Sequence, residues 1–374
     1  METNRRRFLS LLAAGCLLPA TRVLASGTTT GQTDAGLLVS AASDRRQHWL
    51  LVTDAEGQTQ LRYPLPERAH HVELHPQQPW AAAVARRPGR FIEIVDYHSG
   101  QQVQRVDAGE GHHFFGHALF TPDGHWLVST ENDIASGQGQ IVIRDVSNHF
   151  AEVSRTPSYG IGPHELLLNG NQVLVANGGI LTHPDHGREK LNLDSMQPSL
   201  AYIDLKSGDL LEQVSMSADN HQLSIRHMDQ SAAGTVAIAL QYQGAISDNK
   251  PLVAVHRRGE PLKLLRAPEP INNQMEQYAG SARIDRSGRV AAISAPRGNL
   301  ITFWDIEQDR FINAMRCRDG CGLAATDQAG EFLVSSGLGH LYRMRPLDNL
   351  RERLPLDPIA AQLAWDNHMN LRLG

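Results

Sequence analysis

No excess of positive charge runs through this chain: Lys+Arg number 35 against Asp+Glu 40. Without a basic stripe to neutralise phosphates, nucleic acid is excluded as a natural partner. The apolar run Leu11 to Leu18 is too short to remain in a bilayer as an anchor. The common catalytic signatures are missing. There is no Gly-x-Ser-x-Gly elbow, no P-loop, no dinucleotide fingerprint and no Cys-x-x-Cys-His for covalent haem. His164-Glu165 lacks the second histidine of a zincin. Cysteine is scarce, with three residues in all. One is Cys16, in the N-terminal stretch; the others are Cys317 and Cys321. So close a pair in an oxidising compartment is expected as a disulfide, a soft-metal site with copper or a pair of free thiols being the alternatives.

What is present is a repeat. Strands ending in aspartate return at intervals of roughly 40–60 residues, a period that marks a β-propeller. They read Leu51-Val52-Thr53-Asp54, Ile94-Val95-Asp96, Val142-Ile143-Arg144-Asp145, Tyr202-Ile203-Asp204 and Phe303-Trp304-Asp305. Val253-Ala254-Val255-His256 and Leu341-Tyr342-Arg343 fill the two remaining places, making seven units. Gly- or Pro-rich turns such as Pro122-Asp123-Gly124 and Arg286-Ser287-Gly288 separate the strands. The first unit lacks an inner strand, and the segment from Gln362 to Leu371 reads as that strand. The expected fold is all-β: a seven-bladed propeller over 36–374, its ring closed by pairing N- and C-terminal strands, which removes open sheet edges.

Ahead of it, residues 26–35 read as a polar linker and 1–25 as a signal peptide. Arg5-Arg6-Arg7-Phe8-Leu9 followed by a short apolar run has the pattern of twin-arginine export, with Val23-Leu24-Ala25 as a cleavage site. The expected location is the periplasm. Lipidation at Cys16 is the alternative.

Eighteen histidines are present, and five hold equivalent positions. His71, His117 and His164 each lie five residues before the A–B turn residues Pro76, Pro122 and Asn169. His227 lies seven before Gly234, as His117 does before Gly124. His368 lies six before Gly374, as His164 does before Gly170. In a propeller the innermost strands line the axis, so these five side chains are expected to converge at one mouth. Neutral imidazole is the commonest ligand for first-row transition metals, so the mouth is a candidate iron or copper site, or a contact for haem iron. The plainer reading is that they hydrogen-bond loops or channel water. Secondary candidates are His113, Glu165 and the loop residues His183, Asp185 and His186. That loop, Asn177 to Ser199, and those of Glu131 to Gly139 and Gln243 to Pro251 are long enough to suggest function on the same face.

Arg5-Arg6-Arg7-Phe8-Leu9, Phe120-Thr121-Pro122-Asp123-Gly124, Gly162-Pro163-His164-Glu165 and Trp365-Asp366-Asn367-His368 together resemble a bacterial family of twin-arginine-exported, WD40-like or YVTN-like propeller proteins. The resemblance covers essentially the whole chain. It implies a setting beside imelysin-type and haem-bearing periplasmic proteins of iron uptake, and hence a protein partner of that kind. It supplies no catalytic residues. Three functions follow: a non-enzymatic propeller binding a metal or a metal-carrying partner, a lactonase- or quinoprotein-like enzyme using the same mouth, and a metal-free interaction scaffold.

Overall fold

The computed structural model describes residues 36–372. The proposed signal, linker and Cys16 lie outside them. The described chain folds into seven four-stranded antiparallel sheets arranged as a β-propeller. Blade two shows the plan: β4 (Ala69–Leu74) innermost, then β5 (Trp80–Ala85), β6 (Phe91–Asp96) and β7 (Gln102–Asp107) outermost. The inner strands of the next five blades are β8 (His112–Phe120), β12 (Pro163–Asn169), β16 (Leu223–Gln230), β20 (Ser281–Ile284) and β24 (Gly320–Ala325). Blade one is composite, as expected. Its inner strand β28 (Ala364–Arg372) pairs antiparallel with β1 (Leu37–Ser43), from Leu37 opposite Arg372 to Ser43 opposite Ala364.

Burial explains why the sequence alternates so loosely. Strand β5 is buried at every position but its first, because both faces meet neighbouring blades. Outermost strands are the exception, and β15 (Leu210–Ser215) has no fully buried residue. The apolar core lies between blades rather than on the axis. Val39, Leu50 and Val52 of blade one pack on Val72, Ala81 and Ala83 of blade two, and Val84, Ile92 and Ile94 of blade two on Phe114, Ala118 and Leu127 of blade three. The centre of the molecule is thereby left to polar side chains.

The repeated aspartate is a turn device. The Asp96 carboxylate accepts from the backbone N–H of His98 and Ser99, Asp145 from Ser147 and Asn148, and Asp204 from Lys206 and Ser207. Each ties the turn between third and fourth strands, which is why the chain spells it there. A short helix, α1 (Glu269–Gln274), lies between blades five and six, where no helix was expected. No helix among the described residues is long and apolar enough to cross a membrane, which leaves membrane-crossing strands unaddressed.

Candidate metal centre

Six of the seven inner strands break register against their neighbour near the axis: at His70, at Phe115-Gly116-His117, at His164-Glu165, at Arg226, at Cys321-Gly322 and at Asp366-Asn367-His368. Only β20 pairs without a break. A bulge leaves residues unpaired and re-aims their side chains, and here the side chains turn to the axis. Second-strand hydroxyls pin two of the loosened carbonyls: Thr130 Oγ1 donates to the carbonyl of His164 at 3.1 Å, and Ser40 Oγ to that of His368 at 2.7 Å.

The result is a packed knot of imidazoles. Ring centroids of His164 and His227, and of His227 and His368, are 4.5 Å apart; His117 and His368 are 4.7 Å apart. His117, His164, His227 and His368 thus meet as the spacing implied, each at most 5 % exposed. The fifth member is different. His70, not His71, sits among them, 4.7 Å from His368 and 5.0 Å from His117. His71 stacks on His117 from one side at 5.0 Å, and its Nε2 lies 3.2 Å from Asn370 Nδ2. The spacing rule pointed to His71 alone; the bulge inserts His70 as an extra residue, and His70 is the one of the two that enters the ligand sets.

Three sets of ligand atoms lie within 4.8 Å of one another: His70, His117 and His368; His70, His164 and His227; and Glu165, His227 and His368. Both nitrogens of His70, Nε2 of His117 and His368, and Nδ1 of His164 are buried with no protein hydrogen-bond partner. Each such group costs about 1–3 kcal/mol if nothing satisfies it. His227 Nδ1 lies 3.4 Å from Glu165 Oε2 without the alignment of a hydrogen bond, and Glu165 is anchored by the backbone N–H of Met228 at 2.7 Å. Burial holds His70, His117, His164 and His368 well below the ordinary histidine value, reinforced by Arg86 at His70, by Arg226 at His117 and His164, and by Arg283 at His368. Burial lowers His71 to about 4 against the pull of Glu165. All six rings are therefore neutral near pH 7, the state in which imidazole binds metals.

The secondary candidates fall elsewhere. His113 is buried, but its Nδ1 faces the carbonyl of Phe114 at 2.9 Å and it joins none of the three sets. His183, Asp185 and His186 stay on the loop between the second and third strands of blade four, where His183 and His186 face Asp185 at 3.7 Å and Glu189 at 3.3 Å. Glu131 does not open a loop. It is fully buried inside β9 (Trp126–Asp133), 2.6 Å from Arg144 and 3.2 Å from Arg155. The expected disulfide is not formed. Cys317 is a buried thiol packed with Val290, Leu323 and Met344 between blades six and seven. Cys321 sits in the blade-seven bulge and donates to Asn367 Oδ1 at 3.0 Å. The bulge turns Cys321 inward while Cys317 stays in the inter-blade core, and burial pushes the Cys317 thiol up to about 12.

A cavity of about 540 Å³ opens at the other end of the axis among the A–B turns. Its acids are already engaged: Asp229 accepts from Ile284 N, and Asp285 from Val290 N and Gly330 N.

Fold and site define a seven-bladed propeller with a buried, imidazole-rich axis. Residues 63–372 match a family described as "Protein of unknown function (DUF1513)", and the chain belongs to that family. Solved structures share the fold at low identity. One titled "Kuenenia stuttgartiensis Hydrazine Synthase" is 12% identical, with a TM-score of 0.59 over 90% of this chain and 99% of that one. One titled "Crystal Structure of Mitotic Checkpoint Complex" is 12% identical, with a TM-score of 0.54 over 88% and 85%. At such identity the likeness speaks for the fold alone. A comparison with curated proteins returned no match.

Proposed function

We propose that this protein is a metal-binding propeller that holds a first-row transition ion, iron or copper, among His70, His117, His164, His227 and His368. The observation that carries the reading is a cluster of buried, neutral imidazoles that includes nitrogens with no protein partner and forms three sets of ligand atoms, each set within 4.8 Å. Nitrogen donors suit transition ions, and with Glu165 the one carboxylate in those groups, the hard-oxygen cage that calcium needs is missing. This weighs against a calcium-dependent lactonase- or quinoprotein-like enzyme. The twin-arginine pattern and the family resemblance extend the proposal to the periplasm, to iron handling, and to a partner of imelysin or haem-protein type.

The test is metal analysis of protein purified from periplasm, native and with His117→Ala and His164→Ala combined. About stoichiometric iron or copper in the native protein, lost in the variant, is the expected result. Native protein without transition metal, and unable to take it up after exposure to iron(II) or copper(II), would refute the reading.

A further inference from the structure

Above the imidazoles, on the face of the long B–C loops, a vestibule of two adjoining lobes measures about 290 and 180 Å³. Its walls are cationic. Arg87, Arg188, Lys190 and Arg226 line both lobes; Arg86 lines the inner and Arg297 the outer. No Asp or Glu lines either lobe. Several arginines elsewhere on the molecule have carboxylate partners: Arg144 with Glu131, Arg257 with Asp309, Arg289 with Asp305, Arg343 with Glu352. Among the described residues the six vestibule cations have none. Lys190 reaches only the amide oxygen of Gln243, and Arg297 lies over the Tyr278 ring at 4.3 Å.

Two buried groups point the same way. Nε of Arg226 is buried without a hydrogen-bond partner, and so are both nitrogens of His70, a residue 5 % exposed that forms the inner floor. Burial and mutual repulsion lower the proton affinity of Arg87, with Arg188 and Arg86 as the repelling neighbours, and of Lys190, with Arg226 and Arg297. A fold that gathers like charges unpaired bears their repulsion until an anion relieves it. Guanidinium forks match carboxylate and phosphate oxygens two at a time.

We propose that the vestibule binds a small oxyanion of two or more negative charges, a polycarboxylate or phosphate, with its inner end against His70 and His227. The loop Asn177 to Ser199 thereby acquires a role through Arg188 and Lys190 rather than its histidines. The site stands on the charges alone and does not depend on a metal below it.

The experiment is isothermal titration of citrate, and separately of inorganic phosphate, into full-length protein stripped of metal on chelating resin. EDTA is avoided because it is itself a polyanion. Titrations compare native protein with Arg87→Gln/Arg188→Gln, with Arg188→Gln/Lys190→Gln, which alters only exposed loop residues, and with Arg105→Gln, an exposed arginine paired with Asp107 outside the vestibule. At least one anion should bind the native protein. Affinity should fall by roughly tenfold or more in the vestibule variants and on raising salt, and stay close to native in Arg105→Gln. The two anion arms separate a polycarboxylate site from a phosphate site. Failure of both anions to bind, binding indifferent to the loss of these charges, or binding only after metal loading would overturn the proposal. The metal reading survives each of those outcomes, since its own test is loss of metal in the histidine variants.

Discussion

His70 and His71 are adjacent in the chain and unequal at the axis. His70 belongs to two of the three ligand sets, with both nitrogens unpartnered, whereas His71 belongs to none and contacts Asn370. His70→Ala should therefore abolish metal retention, while His71→Ala should lower it only modestly; metal content after gel filtration checks this. Protonation gives a second prediction. The folded state holds these imidazoles neutral, whereas the unfolded chain takes up protons near pH 6.5. With the folded values depressed, the unfolded state binds more protons between the two values. The stability contribution is therefore complete above about pH 6.5 and is lost as pH falls towards the folded value, about 4 for His71. Melting temperature should decline from pH 7 to pH 4.5, and decline less in His117→Gln/His368→Gln. Equal slopes in the two proteins would contradict the assignment.

Bulges, more than strands, are the elements that build the site. Gly116, at φ +105°, lets β8 turn where an added Cβ would stand 2.7 Å from His70 Cδ2. Gly116→Ala should cost about 1–3 kcal/mol in urea unfolding, and displace His70 enough to weaken metal binding. The Arg144–Glu131 pair is fully enclosed in blade three. Arg144→Ala, which leaves the buried carboxylate only Arg155 at 3.2 Å and the Ser129 hydroxyl at 3.0 Å, should cost about 1–3 kcal/mol by the same measurement. These elements mark the boundary of what the sequence discloses. Turn aspartates such as Asp96 and Asp204 repeat because each turn needs the same side-chain acceptor for its backbone N–H groups, so blade number and ring closure could be read directly. Four of the five axial histidines followed from their distance to a turn. His70 did not, because one inserted residue changes which neighbour faces the axis and nothing in Ala69-His70-His71-Val72 spells a bulge. The doublet itself was the one available signal. Nor did the unpaired cations of the vestibule show: Arg86, Arg188, Arg226 and Arg297 come from different blades, and their lack of partners is a property of three-dimensional neighbourhood.

At the scale of the whole molecule, the apolar cores sit between blades and the axis is polar, so the ring depends on every blade interface being made. Removing residues 364–374 would bare the apolar edge of β1, Leu37-Leu38-Val39, and take His368 away with it. Such a truncation should aggregate or self-associate on size-exclusion chromatography rather than persist as a smaller monomer. The strand that seals the circle is also the latest of the described strands to leave the ribosome, and it carries one of the five imidazoles. No partly synthesised chain can then present the full donor set, and any ion the proposed site takes would reach its final coordination only after the last of these strands has docked. The compartment in which closure happens, rather than the one in which translation begins, would decide which metal the protein takes.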